Sequence, residues 1–290
     1  MTDTRTIALT GATSGLGRLA AVDLARRGFR LALTARSDQK GAETRLEIQE
    51  AVPGAQVDIF LGDLSRIYDV RRIGESIGER YGRLDALINN AGLHAFAPRF
   101  TSDGYPEMVA VNYLAPFVLT DTLLPALRAA PSARIVNVAS EASRKHGTLR
   151  LPGDLTDATE FSARGSSPIY GKTKLMNIMF TMELARRLAD SKITVNCLDP
   201  GFNVTGLGRE LRFAGALERA LKTLRIGDPA RGADLIVALA TAPEYAQKTA
   251  AYVTLRGRKE ITPATPGNDR SMQRKLWDDT VTLLASRRGH

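Results

Sequence analysis

The chain has 290 residues, 43% hydrophobic and 24% charged, a composition that suits a single soluble α/β unit with a large core, while length alone would permit two domains. Its net charge is +9, but lysine and arginine are spread over many segments, with only a modest concentration at Arg209, Arg212, Arg219, Lys222 and Arg225. No nucleic-acid motif accompanies that charge, so no nucleic-acid partner is expected, and the basic balance suits an anionic cofactor or substrate. Cys197 is the only cysteine, which rules out an internal disulfide, and its place in a β-prone run reads as a buried, inert thiol. No histidine or carboxylate cluster has metal-ligand spacing, so no metal is expected. No run approaches the roughly 18 consecutive apolar residues of a membrane span, and the first strand begins too early for a signal peptide. The expectation is a cytoplasmic protein without a membrane span.

Taken in chain order, β-prone runs recur near 6–10, 30–35, 57–61, 85–89, 134–139, 193–198 and 251–255, separated by helix-like stretches. This alternation predicts an α/β fold, a parallel sheet of about seven strands covered by helices on both faces. The first run, Thr6 to Thr10, feeds into Gly11, Gly15 and Gly17 and then into an apolar-periodic stretch through Ala20, Ala21, Leu24 and Ala25. Strand, glycine turn and helix in that order can bring a pyrophosphate against backbone N–H groups at the positive end of a helix. Asn89, Asn90, Ala91 and Gly92 follow the fourth run, and Ser140 follows the fifth. In an open parallel sheet such positions converge on the crevice beyond the carboxyl ends of the strands. Tyr170 and Lys174 stand four apart in a helix-like stretch, on one face, where an ammonium can act on a phenol and favour its ionised form. His146 and His290 suggest nothing specific, and the terminal Arg287-Arg288 reads as a solvated helix end.

These motifs together resemble the short-chain dehydrogenase/reductase family from Thr6 to about Leu255: Thr10-Gly11-x-x-x-Gly15-x-Gly17, Asn89-Asn90-Ala91-Gly92, Ser140, Tyr170-x-x-x-Lys174 and Pro200-Gly201. Val111-Asn112-Tyr113-Leu114-Ala115-Pro116-Phe117, the stretch Tyr170 to Asn177 and Glu183 to Leu188 resemble its retinol-dehydrogenase-like branch. The resemblance implies one Rossmann-type doubly wound domain over 1–290. Substrate loops fall at 141–168 and 203–227, and a C-terminal extension at 256–290. It implies an oxidoreductase in which Tyr170 exchanges a proton with the substrate oxygen, Ser140 holds that oxygen, and Lys174 biases the phenol and binds the nicotinamide ribose. Asn112 supports a water chain to the lysine. Gly11, Thr13, Ser14, Gly15, Leu16 and Gly17 would hold the pyrophosphate, Asp63 and Leu64 the adenine, and Asn90, Ala91, Gly92, Pro200, Gly201 and Thr205 the rest of the cofactor.

Members that select NAD place an acidic residue at the end of the second strand, some 20 residues beyond the turn. Here Arg36 stands there, with Arg18 after Gly17, so NADP(H) is expected over NAD(H). Ser14 departs from the basic residue that NADP-selecting members often carry before the second glycine. His94, Phe96, Phe202 and Leu207, with Gly147, Leu149, Phe161 and the stretch Pro152 to Leu155, frame a broad apolar pocket in this reading. It suits a bulky lipophilic or polycyclic carbonyl compound or alcohol; for His94 the alternative is a structural hydrogen-bond partner, the commoner role of a lone histidine. The alternative is a non-catalytic NADP-binding sensor or scaffold of the same fold. Self-association into a homo-oligomer is left open.

Overall fold

The computed structural model describes residues 4–157, 161–201 and 228–287. Phe202, Thr205, Leu207, the loop 203–227 with its basic residues, Arg288 and His290 lie outside the described residues.

Eight strands form one sheet in the order β3-β2-β1-β4-β5-β6-β7-β8. They are β1 (Thr6–Leu9), β2 (Arg30–Ala35), β3 (Val57–Leu61), β4 (Ala86–Asn89), β5 (Ala133–Val138), β6 (Ile193–Asp199), β7 (Tyr252–Thr254) and β8 (Lys259–Glu260). The first seven pair in parallel and match the seven β-prone runs. The eighth is a two-residue antiparallel edge pairing Val253 with Glu260, too short to leave a period-2 pattern. The sheet reads as near-continuous apolar runs because both faces are covered. Ile7 and Leu9 point into the layer of α1 (Gly15–Arg26), α2 (Asp38–Ala51) and α6 (Pro229–Thr241). Ala8, Leu87 and Ile135 point into the layer of α3 (Ile67–Tyr81), α4 (Glu107–Arg128) and α5 (Ser166–Arg187).

Local sequence explains the elements. In α3 the buried Val70, Ile73, Gly74 and Ile77 follow the i, i+3, i+4, i+7 stripe, and the helix stops at Gly82, whose φ of 63° belongs to the left-handed region. Ser37 caps α2 by accepting from the Lys40 N–H at 3.2 Å. Helix α4 is long and apolar enough to cross a membrane by composition alone, but 78% of its most apolar window is buried inside the protein.

The C-terminal extension, given no secondary structure from sequence, contains helix α7 (Arg270–Ser286). Its buried face is Gln273, Leu276, Thr280 and Leu284, half of it polar, which dilutes the periodic signal. Trp277 packs on Phe117 and Phe180 with ring centroids 4.7 and 5.9 Å away, and the Tyr113 hydroxyl pairs with Thr280 Oγ1 at 2.7 Å.

The strand order reverses between β1 and β4, so the turns after them open side by side into a crevice at the carboxyl edge.

Candidate active site

At the β1–α1 turn, Gly11 has φ 71°, and a Cβ there would lie 2.9 Å from Ala91 Cα. A Cβ on Gly17 would come within 2.2 Å of the Gly11 carbonyl oxygen, so the turn closes this tightly only with glycine. The turn is fastened to the β4 turn: Asn90 Nδ2 donates to the Thr10 and Gly11 carbonyls at 2.9 and 3.2 Å, while Thr10 Oγ1 accepts from the Asn90 and Ala91 N–H groups at 3.1 and 3.0 Å. Ser14 precedes α1 without capping it through its side chain, and no acidic residue occupies the first helical turn. The positive end of α1 thus carries no built-in counter-charge, as an anion site requires. Thr13, Ser14, Gly15 and Leu16 are half-buried along this turn.

Beyond β2, Arg36 is exposed and makes no hydrogen bond or ion pair with the described residues. Arg18 is instead paired with Glu47 of α2 at 3.2 Å. Asp63 accepts from the Ser65 N–H at 2.9 Å and gives its own N–H to Asp69 at 3.0 Å, which holds the Asp69 carboxyl below the usual range; Leu64 beside it is buried.

Helix α5 brings the candidate site side chains together. Gly171 lies against the turn Glu141–Lys145, where a Cβ would meet the Ala142 carbonyl at 2.6 Å, so the absence of a side chain lets Tyr170 approach the segment that starts at Ser140. Ser140 Oγ accepts from the Ala142 N–H at 3.1 Å, leaving its hydroxyl proton to donate. Lys174 Nζ sits 5.7 Å from the Tyr170 ring centroid and donates to the Val138 carbonyl at 2.7 Å. Burial lowers the Lys174 pKa to about 8, opposed by the Asp199 carboxylate. Burial also pushes the Tyr170 phenol well above its ordinary value, and Asp199 adds to that. The spacing alone predicts the opposite direction for the phenol; with both groups almost out of water, desolvation outweighs the neighbouring cation.

Asn112 stands on a π-type turn, Ala110–Leu114, inside α4, an irregularity often found at functional sites. Its Nδ2 donates to the Leu93 carbonyl and Thr173 Oγ1, both at 2.9 Å, and its Oδ1 accepts from the Leu93 N–H at 2.8 Å. A Cβ on Gly92 would be 3.3 Å from Asn112 Oδ1 and 3.4 Å from Lys174 Nζ, so this glycine keeps the space between them open. Asn177 Nδ2 supports the turn by donating to the Asn112 carbonyl at 3.0 Å.

His94 stacks on Tyr170 at 4.7 Å and 16°, and on Phe96 at 4.7 Å and 29°. Its Nε2 meets Ser166 Oγ at 2.9 Å; because that hydroxyl already donates to the Ala163 carbonyl, Nε2 carries the hydrogen. Phe161 lines an open groove beside this ring cluster, with Ala95, Met108, Ile169 and Met176 and the largely buried Lys172–Asp154 ion pair at 2.8 Å. Pro200 and Gly201 follow β6 at the same edge of the sheet.

Asp199 escapes a reading by motif. A carboxylate at the end of the β-prone run Ile193–Asp199 was the available signal for Asp199, and it is easily absorbed into the adjoining Pro-Gly turn.

The family model described as short chain dehydrogenase matches residues 5–151. The chain belongs to the short-chain dehydrogenase/reductase family. It is 33% identical to human retinol dehydrogenase 14 over 97% of this chain and 86% of that protein. It is 34% identical to the Streptomyces sp. (strain C5) protein named "Putative daunorubicin C-13 ketoreductase DnrU", over 97% of this chain and 92% of that one. Among solved structures, the Pseudomonas aeruginosa RhlG/NADP active-site complex superposes with a TM-score of 0.66 at 26% identity, covering 86% of this chain and 94% of that one. As a member of the retinol-dehydrogenase-like branch of this short-chain dehydrogenase/reductase family, the protein is an NAD(P)-dependent oxidoreductase of CH–OH and C=O groups. Its glycine cradle and uncompensated α1 terminus fit such a dinucleotide.

Proposed function

We propose that the protein interconverts a carbonyl and the matching alcohol on a bulky, lipophilic or polycyclic small molecule, with NADP(H) as cofactor and Tyr170 as the general acid and base. The observation that carries this reading is the burial of Tyr170 and Lys174 together on α5, against the turn that starts at Ser140. The bound cofactor supplies or accepts the hydride at the substrate carbon. Tyr170 holds its proton at neutral pH, the state needed to protonate an alkoxide as it forms. The Ser140 hydroxyl donates to the same oxygen, and two fixed donors aimed at one developing charge lower its energy in a site already shielded from water. Lys174, drawn to about 8, holds a proton at neutral pH and can part with it at modest cost, which suits a group that restores the proton on Tyr170.

The preference for NADP(H) rests on Arg36, exposed and without a partner among the described residues at the end of β2, where an acidic residue would favour NAD, and is supported by the NADP complex of the related fold. The substrate class rests on the apolar lining beside the Tyr170 ring cluster and on the names of the two relatives, a retinol dehydrogenase and a daunorubicin ketoreductase. The test is NADPH oxidation by the purified protein against retinoid-like aldehydes, quinones, steroids, polycyclic ketones and short aliphatic carbonyls. Turnover confined to the bulky apolar compounds is expected; preference for the short carbonyls, or for NADH, would overturn the corresponding part.

A further inference from the structure

Asp199 is 5% exposed at the carboxyl end of β6. Its Oδ1 accepts from the Glu141 N–H at 2.9 Å, the residue directly after Ser140. Its Oδ2 accepts from the Gly201 N–H at 3.2 Å and from the Thr254 hydroxyl at 3.4 Å. Thr254 Oγ1 itself accepts from the Arg256 N–H at 3.2 Å, so its hydrogen is the one directed at Asp199. Burial raises the Asp199 carboxyl, but three donors and no acceptor face its two oxygens in these contacts, and it is these donors that hold the group ionised. The turns after β5 and β6 and the end of β7 are therefore tied to one buried group. One of these turns follows Ser140 and another holds Gly201.

We propose that Asp199 is a positioning residue for the reaction: it locks the turn bearing Ser140 to the turn bearing Gly201 and supplies a fixed buried negative charge beside the Tyr170–Lys174 pair. Among the described residues, the charged and titratable groups around it are Glu141 on the β5 turn, Tyr170 and Lys174 on α5, and Tyr252 on β7. Against the two α5 groups its charge has a common sign of effect, since it raises both the phenol and the ammonium. Both groups therefore hold their protons to higher pH than they would beside a neutral side chain. Asp199 thus keeps the pair proton-loaded, the state from which a carbonyl is reduced.

This inference rests on Tyr170 acting as the acid and base, and its test separates the two. The pH dependence of kcat for NADPH-driven reduction is measured for wild type, Asp199→Asn and Thr254→Val, with folding checked by thermal melting and cofactor binding by NADPH fluorescence. In Asp199→Asn the limb along which activity falls with rising pH should move down by roughly one pH unit or more. Thr254→Val removes a hydrogen bond but keeps the charge, and its limb should stay in place. Asp199→Ser, which places no extra amide donor in the buried site, carries the same expectation should the amide unsettle the fold. A limb that stays at its wild-type position in folded, cofactor-binding Asp199→Asn or Asp199→Ser overturns the proposal. Tyr170→Phe is assayed alongside. Wild-type rates in that variant would overturn the reading of the site and this proposal with it, whereas an inactive Tyr170→Phe with an unmoved limb overturns the proposal alone.

Discussion

At the scale of single residues, the physics of the site is dominated by water exclusion. Lys174 is 3% exposed, and the cost of keeping an ammonium there brings its pKa down from 10.5 to about 8. The sign of the consequence for stability is fixed by which state binds more protons. Between about pH 8 and 10.5 the unfolded chain keeps the Lys174 proton and the folded protein releases it, so this residue's contribution to stability rises with pH across that window. Below the window the buried charge costs about 3 kcal/mol, and above it that cost vanishes. Chemical denaturation of the cofactor-free protein and of Lys174→Met at a series of pH values checks this. Other groups titrate in both proteins, so the difference between them isolates Lys174. The wild type should gain on the variant from pH 8 to pH 10.5, and a difference independent of pH would contradict the assignment.

At the scale of elements, the glycine turn is the part most sensitive to shape. A methyl on Gly17 would sit 2.2 Å from the Gly11 carbonyl oxygen, a contact that only a shift of the turn or of α1 can relieve. Gly17→Ala should therefore lower NADPH affinity at least about tenfold, equivalent to about 1.4 kcal/mol, and lower the melting temperature, read by fluorescence titration and thermal melting. Unchanged binding would mean that the pyrophosphate does not use this turn.

The same elements show what can be read from the sequence. The parallel strands announced themselves because each is a short β-prone run, apolar on both faces, bounded by turn residues; the seven runs and the seven parallel strands agree closely at their ends. The glycine turn, the Asn89–Gly92 segment, Ser140 and the Tyr170–Lys174 pair were legible because they end strands or share a helix face. Helix α7 was not, since Gln273 and Thr280 occupy half of its buried face. Nor was the π-type turn at Asn112, which leaves no compositional trace, its added residue being absorbed within a continuous apolar stretch. Asp199 was hidden for a different reason: its importance comes from Glu141 and Thr254, distant in sequence and brought to it by the parallel pairing of β6 with β5 and β7.

At the scale of the whole molecule, the net charge of +9 favours the approach of any anionic dinucleotide and discriminates poorly between NADPH and NADH. Discrimination has to come from a local contact, and the proposed function assigns that contact to Arg36. If it meets the 2′-phosphate with charge-assisted hydrogen bonds, Arg36→Ala should cost about 1.5–3 kcal/mol, or roughly 10–150-fold in NADPH affinity, while NADH binding stays level. Parallel titrations at fixed ionic strength decide it; equal losses for both cofactors would show that Arg36 acts through the general field or the fold.

The reading of the whole protein turns on whether the buried phenol on α5 handles the substrate proton. Tyr170→Phe removes one hydroxyl from the reacting centre and leaves the ring that stacks on His94, so the fold and the cofactor cradle should survive the change. The most direct test is steady-state reduction of a turned-over carbonyl substrate by purified Tyr170→Phe, with NADPH affinity titrated on the same preparation. The account predicts NADPH binding close to wild type and turnover reduced by roughly 10²–10⁴-fold; wild-type turnover in that variant would contradict it.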